Sequence, residues 1–222
     1  ARERPDQLAL VFEGRETTYA EFNRHTNQVA NALIAAGLTK GQRIAYLGKN
    51  SDHYFELMFG ALKAGVVIAP IGWRLAPPEV AYIVGDSDAV MLFVGPEVAD
   101  QAAAIAPDLP NLKIVAMEPN DRGWPTFEAW RDAQPDRDAG VAIDETDIAV
   151  QLYTSGTTGR PKGAMLMHRN LLGGRKVAAG VQLMVAPASL QDRAQAELEG
   201  TMQALTDAGA PMAAATGPDP AP

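Results

Sequence analysis

Between residues 8 and 153 one pattern repeats about every twenty residues: a short apolar run, a turn, then a segment with helical spacing. Few folds accept that order. Apolar runs at 43–48, 66–70, 89–94, 113–117 and 148–153, bounded mostly by Gly, Pro, Asn or Asp, read as strands buried on both faces, because a half-exposed strand would alternate apolar with polar. The segments between them carry helix punctuation. Thr18 and Glu21 are spaced as a capping box ahead of an apolar stripe at Phe22, Val29, Leu33 and Ala36 that stops at Gly37. Ser51 is placed to cap a helix that runs to Ala64 and closes at Gly65, and Pro77-Pro78-Glu79 opens another where proline is tolerated. Helical segments are also expected near 98–106 and 126–132, and a hairpin where residues 8–12 and 16–18 flank Glu13-Gly14. Strands alternating with helices predict an α/β fold: a doubly wound, mostly parallel sheet flanked by helices. Such a sheet takes its ligand outside the carboxyl ends of its strands. It is expected to end at the strand 148–153, leaving an edge and an apolar face uncovered and the chain prone to self-association.

Charge and cysteine content exclude several ligands. With 19 basic against 27 acidic residues the net charge is −8, which disfavours nucleic acid, whose phosphates need clustered Lys and Arg. The absence of cysteine excludes a disulfide scaffold, a thiolate metal site and a Cys nucleophile. His25, His53 and His168 are too scattered to suggest a zinc site. No apolar run approaches the roughly 18 residues of a transmembrane segment, and no signal segment follows the N-terminus, so a cytoplasmic setting is expected. Beyond residue 176 the pattern stops. All 14 aromatic residues precede residue 154, and 13 of the 46 residues from 177 to 222 are alanine. A thin apolar stripe over 189–205 (Leu190, Ala194, Leu198, Met202, Leu205) suits one helix, and 211–222, rich in Pro and Ala, is expected to be disordered.

Directly after the last predicted strand stands Thr154-Ser-Gly-Thr-Thr-Gly-Arg-Pro-Lys-Gly163. Its glycines let the backbone approach a ligand, four hydroxyls donate hydrogen bonds, and Lys162 adds a point charge; donor-rich and cationic is what a polyphosphate needs. The spacing fits neither the Walker loop nor the Gly-x-Gly-x-x-Gly of dinucleotide folds. An ordinary Gly/Thr turn with a solvated lysine is the plainer alternative.

Tyr153-Thr-Ser-Gly-Thr-Thr-Gly-Arg-Pro-Lys-Gly163 resembles the signature loop of the adenylate-forming (AMP-binding) superfamily, which includes acyl- and aryl-CoA synthetases and the adenylation domains of peptide synthetases. Thr17-Thr-Tyr-Ala-Glu-Phe22, Lys40-Gly-Gln-Arg-Ile-Ala45, Gly60-Ala-Leu-Lys-Ala-Gly-Val-Val-Ile-Ala-Pro70 and His168-Arg-Asn170 are similar to the N-terminal region of acyl-CoA ligases, in order and spacing. The resemblance implies two half-reactions: ATP and a carboxylic acid, fatty or otherwise apolar, give an acyl-adenylate and pyrophosphate, then coenzyme A takes the acyl group. It assigns Thr154, Ser155, Gly156, Thr157, Thr158, Gly159 and Lys162 to the β- and γ-phosphates of ATP, with Mg²⁺ between them. It further implies a partial N-terminal AMP-binding domain over 1–176 and an unmatched Ala/Pro-rich tail over 177–222. The superfamily's other stations are an acyl pocket, an acidic ligand for Mg²⁺, an Asp for the ribose and a catalytic Lys. None finds a match in 177–222, so this chain is expected to be inactive alone. Two other readings remain: a non-catalytic remnant with at most weak nucleotide binding, or a fragment of an amino-acid adenylation domain.

Residues outside the loop receive plainer expectations. His53 is expected to be a partly exposed helix residue, Arg160 a solvated loop residue, and Trp73 a packing rather than a ligand-stacking group. Asp136-Arg-Asp138 is expected to be a solvated loop, and His168 is divided between packing and substrate contact.

Overall fold

The computed structural model describes residues 1–154 and 160–172. The chain divides into two compact units, Ala1–His168 and Arg169–Pro222, and of the second only residues 169–172 are described. The helix expected over 189–205 and the tail expected over 211–222 lie outside the described residues.

The first unit begins with an antiparallel hairpin of β1 (Leu8–Phe12) and β2 (Arg15–Thr18). Next comes α1 (Tyr19–Ala35), whose cap is the box its spacing predicts: the Thr18 hydroxyl accepts from the Glu21 amide, and the Glu21 carboxylate accepts from the Thr18 amide at 2.9 Å. The main sheet is built from β3 (Arg43–Leu47), β4 (Val67–Ile71), β5 (Ala89–Val94), β6 (Lys113–Ala116), β7 (Ile148–Thr154) and β8 (Lys162–Met167), in the spatial order β6-β5-β3-β4-β7-β8. Between them run α2 (Asp52–Ala64), α3 (Pro77–Asp86), α4 (Ala99–Ile105) and α5 (Phe127–Asp132), and α6 (His168–Leu172) follows β8. Ser51 caps α2, and Gly65 ends it at φ 67°, where a side chain would be strained. Every pairing from β6 through β7 is parallel.

Alternate strand residues serve opposite faces, which is why these runs are apolar throughout. Ile44, Tyr46, Met91 and Phe93 pack with Val29 and Leu33 of α1 and Leu57 and Ala61 of α2. Ala45, Leu47, Leu92 and Val94 pack with Val80 and Ile83 of α3 and Ala102 and Ile105 of α4. Helices thus cover both faces, as a parallel sheet requires. The approach of α1 to α2 is close because residue 60 is glycine: a Cβ there would run into Val29 and stand 3.0 Å from the Thr26 carbonyl oxygen.

Two expectations are corrected. The sheet does not end at β7, because the chain returns through β8, antiparallel to β7, and covers that edge. His53 is not partly exposed but buried, at 6% exposure, because α5 packs over it and sets the Phe127 ring 5.4 Å from the imidazole.

Candidate functional site

β7 leaves the carboxyl end of the sheet beside β4, and β8 returns antiparallel to it, so residues 155–161 form the connection of a hairpin. Thr154 and Lys162 are cross-strand partners at its mouth. Both are exposed, and among the described residues no carboxylate pairs with Lys162. Ser155, Gly156, Thr157, Thr158 and Gly159 lie outside the described residues. The structure therefore brings together the first and last of the seven residues assigned to phosphate. Arg160 is exposed as expected, though its guanidinium also lies 5.7 Å from the centre of the Tyr82 ring. His168 opens α6 and donates its backbone N–H to the Asp147 carbonyl at 3.0 Å. Its Nε2 is buried without a hydrogen-bond partner among the described residues, and burial holds its pKa below the usual histidine range. That supports the packing role over substrate contact.

A second recess, about 510 Å³, opens beyond the carboxyl ends of β3, β5 and β6. Three of its walls are acidic (Glu13, Glu97, Glu118) and only Lys49 and Arg15 are basic, while Arg15 is held by both oxygens of Asp52 at 2.8 Å. The acidic lining of this recess suits a polyphosphate less well than the hairpin mouth, where Lys162 meets no carboxylate among the described residues. Trp73 is half-buried against the α3–α4 core as expected for a packing residue, with Lys49 Nζ 4.9 Å and the Arg74 guanidinium 4.4 Å from its ring.

Charged groups buried away from the hairpin went unseen in the sequence. Glu56 of α2, 2% exposed, pairs with Arg131 of α5, and its other carboxylate oxygen accepts from His25 Nδ1 of α1 at 2.7 Å. Lys63 Nζ donates to the Asn23 carbonyl and to the Asn23, Thr26 and Asn27 side chains at 2.7–3.2 Å. Their partners stand 31 to 75 residues away, so no local spacing announced them. The loop at 136–138 is exposed as expected, although Asn27 and Asn31 hold its carbonyls.

The described fold is a mostly parallel α/β sheet that carries a Gly/Thr/Lys hairpin at the edge where such sheets bind ligands. The family model for AMP-binding enzymes matches residues 1–199, and the chain belongs to that family. It is similar to the fatty acid–[acyl-carrier-protein] ligase ScoC of Streptomyces coeruleorubidus, 42% identical over 185 residues, which are 81% of this chain and 33% of that protein. It is also similar to a feruloyl-CoA synthase of an Amycolatopsis species, 40% identical over 77% of this chain and 32% of that one. Among solved structures, the anthranilate CoA ligase AuaEII in complex with anthranoyl-AMP superposes with a TM-score of 0.75 at 31% identity, over 83% of this chain and 36% of that one. ATP-bound MatB from Rhodopseudomonas palustris gives 0.65 at 27% identity, over 94% and 42%. The chain spans about a third of the length of the curated relatives it matches. Among the described residues no helix is long and apolar enough to cross a membrane.

Proposed function

We propose that this chain supplies the ATP-phosphate loop of an acid–thiol ligase, which activates a fatty or other apolar carboxylic acid as its acyl-adenylate and passes the acyl group to coenzyme A. The observation that carries this reading is the hairpin mouth, where an exposed cation and an exposed hydroxyl, Lys162 and Thr154, face each other across paired strands in a member of the AMP-binding family. Support for the acid comes from relatives named as fatty-acid, feruloyl and anthranilate ligases. Support for coenzyme A comes from the feruloyl-CoA synthase and the anthranilate CoA ligase, while ScoC is named for an acyl-carrier-protein. Residues 1–176 then form part of the nucleotide-binding domain, and the family match continues to residue 199.

A carboxylate attacks the α-phosphorus without a general base, since it is already a nucleophile. What the protein must supply is positive charge and N–H or O–H donors where charge gathers on the departing pyrophosphate. Lys162 and Thr154, with Ser155, Gly156, Thr157, Thr158 and Gly159 between them, are that set, spanning the β- and γ-phosphates. Mg²⁺ would belong with those phosphates and would help neutralise their charge, while among the described residues no three His, Asp or Glu side chains stand together to hold a metal. The chain alone is proposed to turn nothing over, because the rest of the ligase lies outside the third of the relatives that it spans. Self-association is proposed through exposed apolar side chains of the hairpin, Leu152 on one face and Met165 on the other, 40% and 55% exposed; sedimentation of the dilute chain as a monomer would contradict it. The activity itself is tested by ATP–pyrophosphate exchange driven by a panel of carboxylic acids in a full-length protein carrying this sequence. Exchange with fatty or aromatic acids is expected, and no exchange with any acid would defeat the proposal.

A further inference from the structure

A file of polar side chains crosses from the sheet to α3 under the root of the hairpin. Arg43 Nε of β3 donates to Gln151 Oε1 of β7 at 2.9 Å. Gln151 Nε2 donates to the Tyr153 hydroxyl at 2.9 Å, and that hydroxyl donates to Asp86 Oδ2, the last residue of α3, at 2.7 Å. The Tyr82 hydroxyl, one turn earlier in α3, lies 3.2 Å from Asp86 Oδ1 and 3.4 Å from the Pro161 carbonyl oxygen, so its one proton is shared between an anion and the returning arm of the hairpin. All the donors point one way, from a guanidinium to a carboxylate, and a file aligned like this strengthens each of its bonds. Burial, and then the Asp86 carboxylate, push the Tyr153 pKa far above its usual value, so the phenol remains a donor at any physiological pH.

Two independent features show that the arrangement is built rather than incidental. Gly163 stands opposite Tyr153 in the register, and a Cβ there would lie 2.5 Å from Gln151 Nε2 and 3.1 Å from Tyr153 Cζ. The absence of a side chain at 163 is what lets the file lie across β8. Asp86 also sits at the carboxyl end of a ten-residue helix with no basic residue in its last turn, where the helix dipole disfavours an anion. Its hydroxyl partners, not the helix, favour it there.

We propose that Asp86 and Tyr82 of α3, acting through Tyr153 and Pro161, clamp both arms of the phosphate hairpin and set the separation at which Thr154 and Lys162 meet a polyphosphate. They are positioning residues, since neither faces the ligand. The proposal rests on the phosphate reading of the loop, and two readouts on the 222-residue chain keep the two apart. The first is titration calorimetry with inorganic triphosphate; the second is hydrogen exchange of the backbone amides of 153–163, which needs no ligand. Tyr153→Phe and Asp86→Ala are each expected to weaken triphosphate binding by about three- to tenfold, the worth of one net hydrogen bond. Both should speed exchange at 153–163 alone and leave the melting temperature nearly unchanged, while Asp86→Asn, which keeps one acceptor, falls between. Tyr82→Phe tests the returning arm with a milder change. Unchanged binding together with unchanged exchange in all four variants would overturn the clamp and leave the phosphate reading standing. If the unaltered chain does not bind triphosphate, that reading fails for this chain and exchange decides the clamp: local acceleration supports it, none overturns it. Acceleration spread over the whole sheet with a lower melting temperature would show a merely structural role and overturn it as well.

Discussion

Under α1, α2 and α5 the charged side chains of Glu56 and Arg131 are buried and matched, with half-buried His25 beside them, whereas at the β7–β8 hairpin Lys162 and Arg160 stand exposed and meet no carboxylate among the described residues. The difference follows from what each charge costs. A buried ion must be paired and hydrogen-bonded, so each partner fixes the position of the other and the three helices are locked to one another. An exposed cation costs little to leave unmatched, and its charge stays available to an anionic ligand. The first region is scaffold and the second is the proposed site.

The largest expected effect falls on the scaffold. Glu56→Ala removes one of the two carboxylates on buried Arg131, leaving only the half-exposed Asp132, and should cost about 3 kcal/mol of stability, read as a lowered urea midpoint. A loss under about 1 kcal/mol would place this pair with surface ion pairs and erase the contrast. Next is Gly60→Ala. Helix propensity favours alanine by about 0.5–1 kcal/mol, but the new methyl meets Val29 and the Thr26 carbonyl. Overpacking of about 1–3 kcal/mol should win, and a stabilised variant would show that the two helices are not pressed together.

The smallest effect concerns Asp52, where burial opposes the charge but the Arg15 guanidinium and the His53 amide hold its pKa below the ordinary carboxylate value. A depressed folded pKa contributes stability that is complete above the unfolded value, near 3.9, and is lost as pH falls through the folded value. Asp52→Asn should therefore lower the urea midpoint near pH 7 and leave it almost unchanged at about pH 2. Equal losses at both pH values would assign the effect to packing instead of charge.

Much of the scaffold was legible because its signals are local. Thr18 with Glu21, Ser51 with Gly65, and the proline pair at 77 and 78 each mark a helix end within a few residues, and the structure places all three ends there. β8 was missed because Lys162 and Gly163 read as part of the loop, and Ala164-Met-Leu-Met167 lacks the β-branched residues that announce a strand. What makes it a strand is register against β7. His53 and Glu56 were missed for a related reason. On an amphipathic helix a charged or titratable residue is assigned to solvent, and only packing against α5, some 75 residues later, brings them inside. At the candidate site the phosphate proposal rests on residue types, while the file from Arg43 through Gln151 and Tyr153 to Asp86 joins three elements that no spacing connects.

The central claim is that the charge left unmatched at the hairpin is there for ATP, and Lys162→Ala in a full-length protein carrying this sequence tests it most directly. A hydrogen bond to a charged group is worth about 1.5–3 kcal/mol, and each 1.4 kcal/mol is about tenfold in rate. Adenylation should slow by about ten- to a hundredfold, with an unchanged melting temperature. Thioester formation started from preformed acyl-adenylate, which carries no β- or γ-phosphate, should proceed at nearly the unaltered rate. Equal losses in both half-reactions, or a protein that melts well below the unaltered one, would contradict the account.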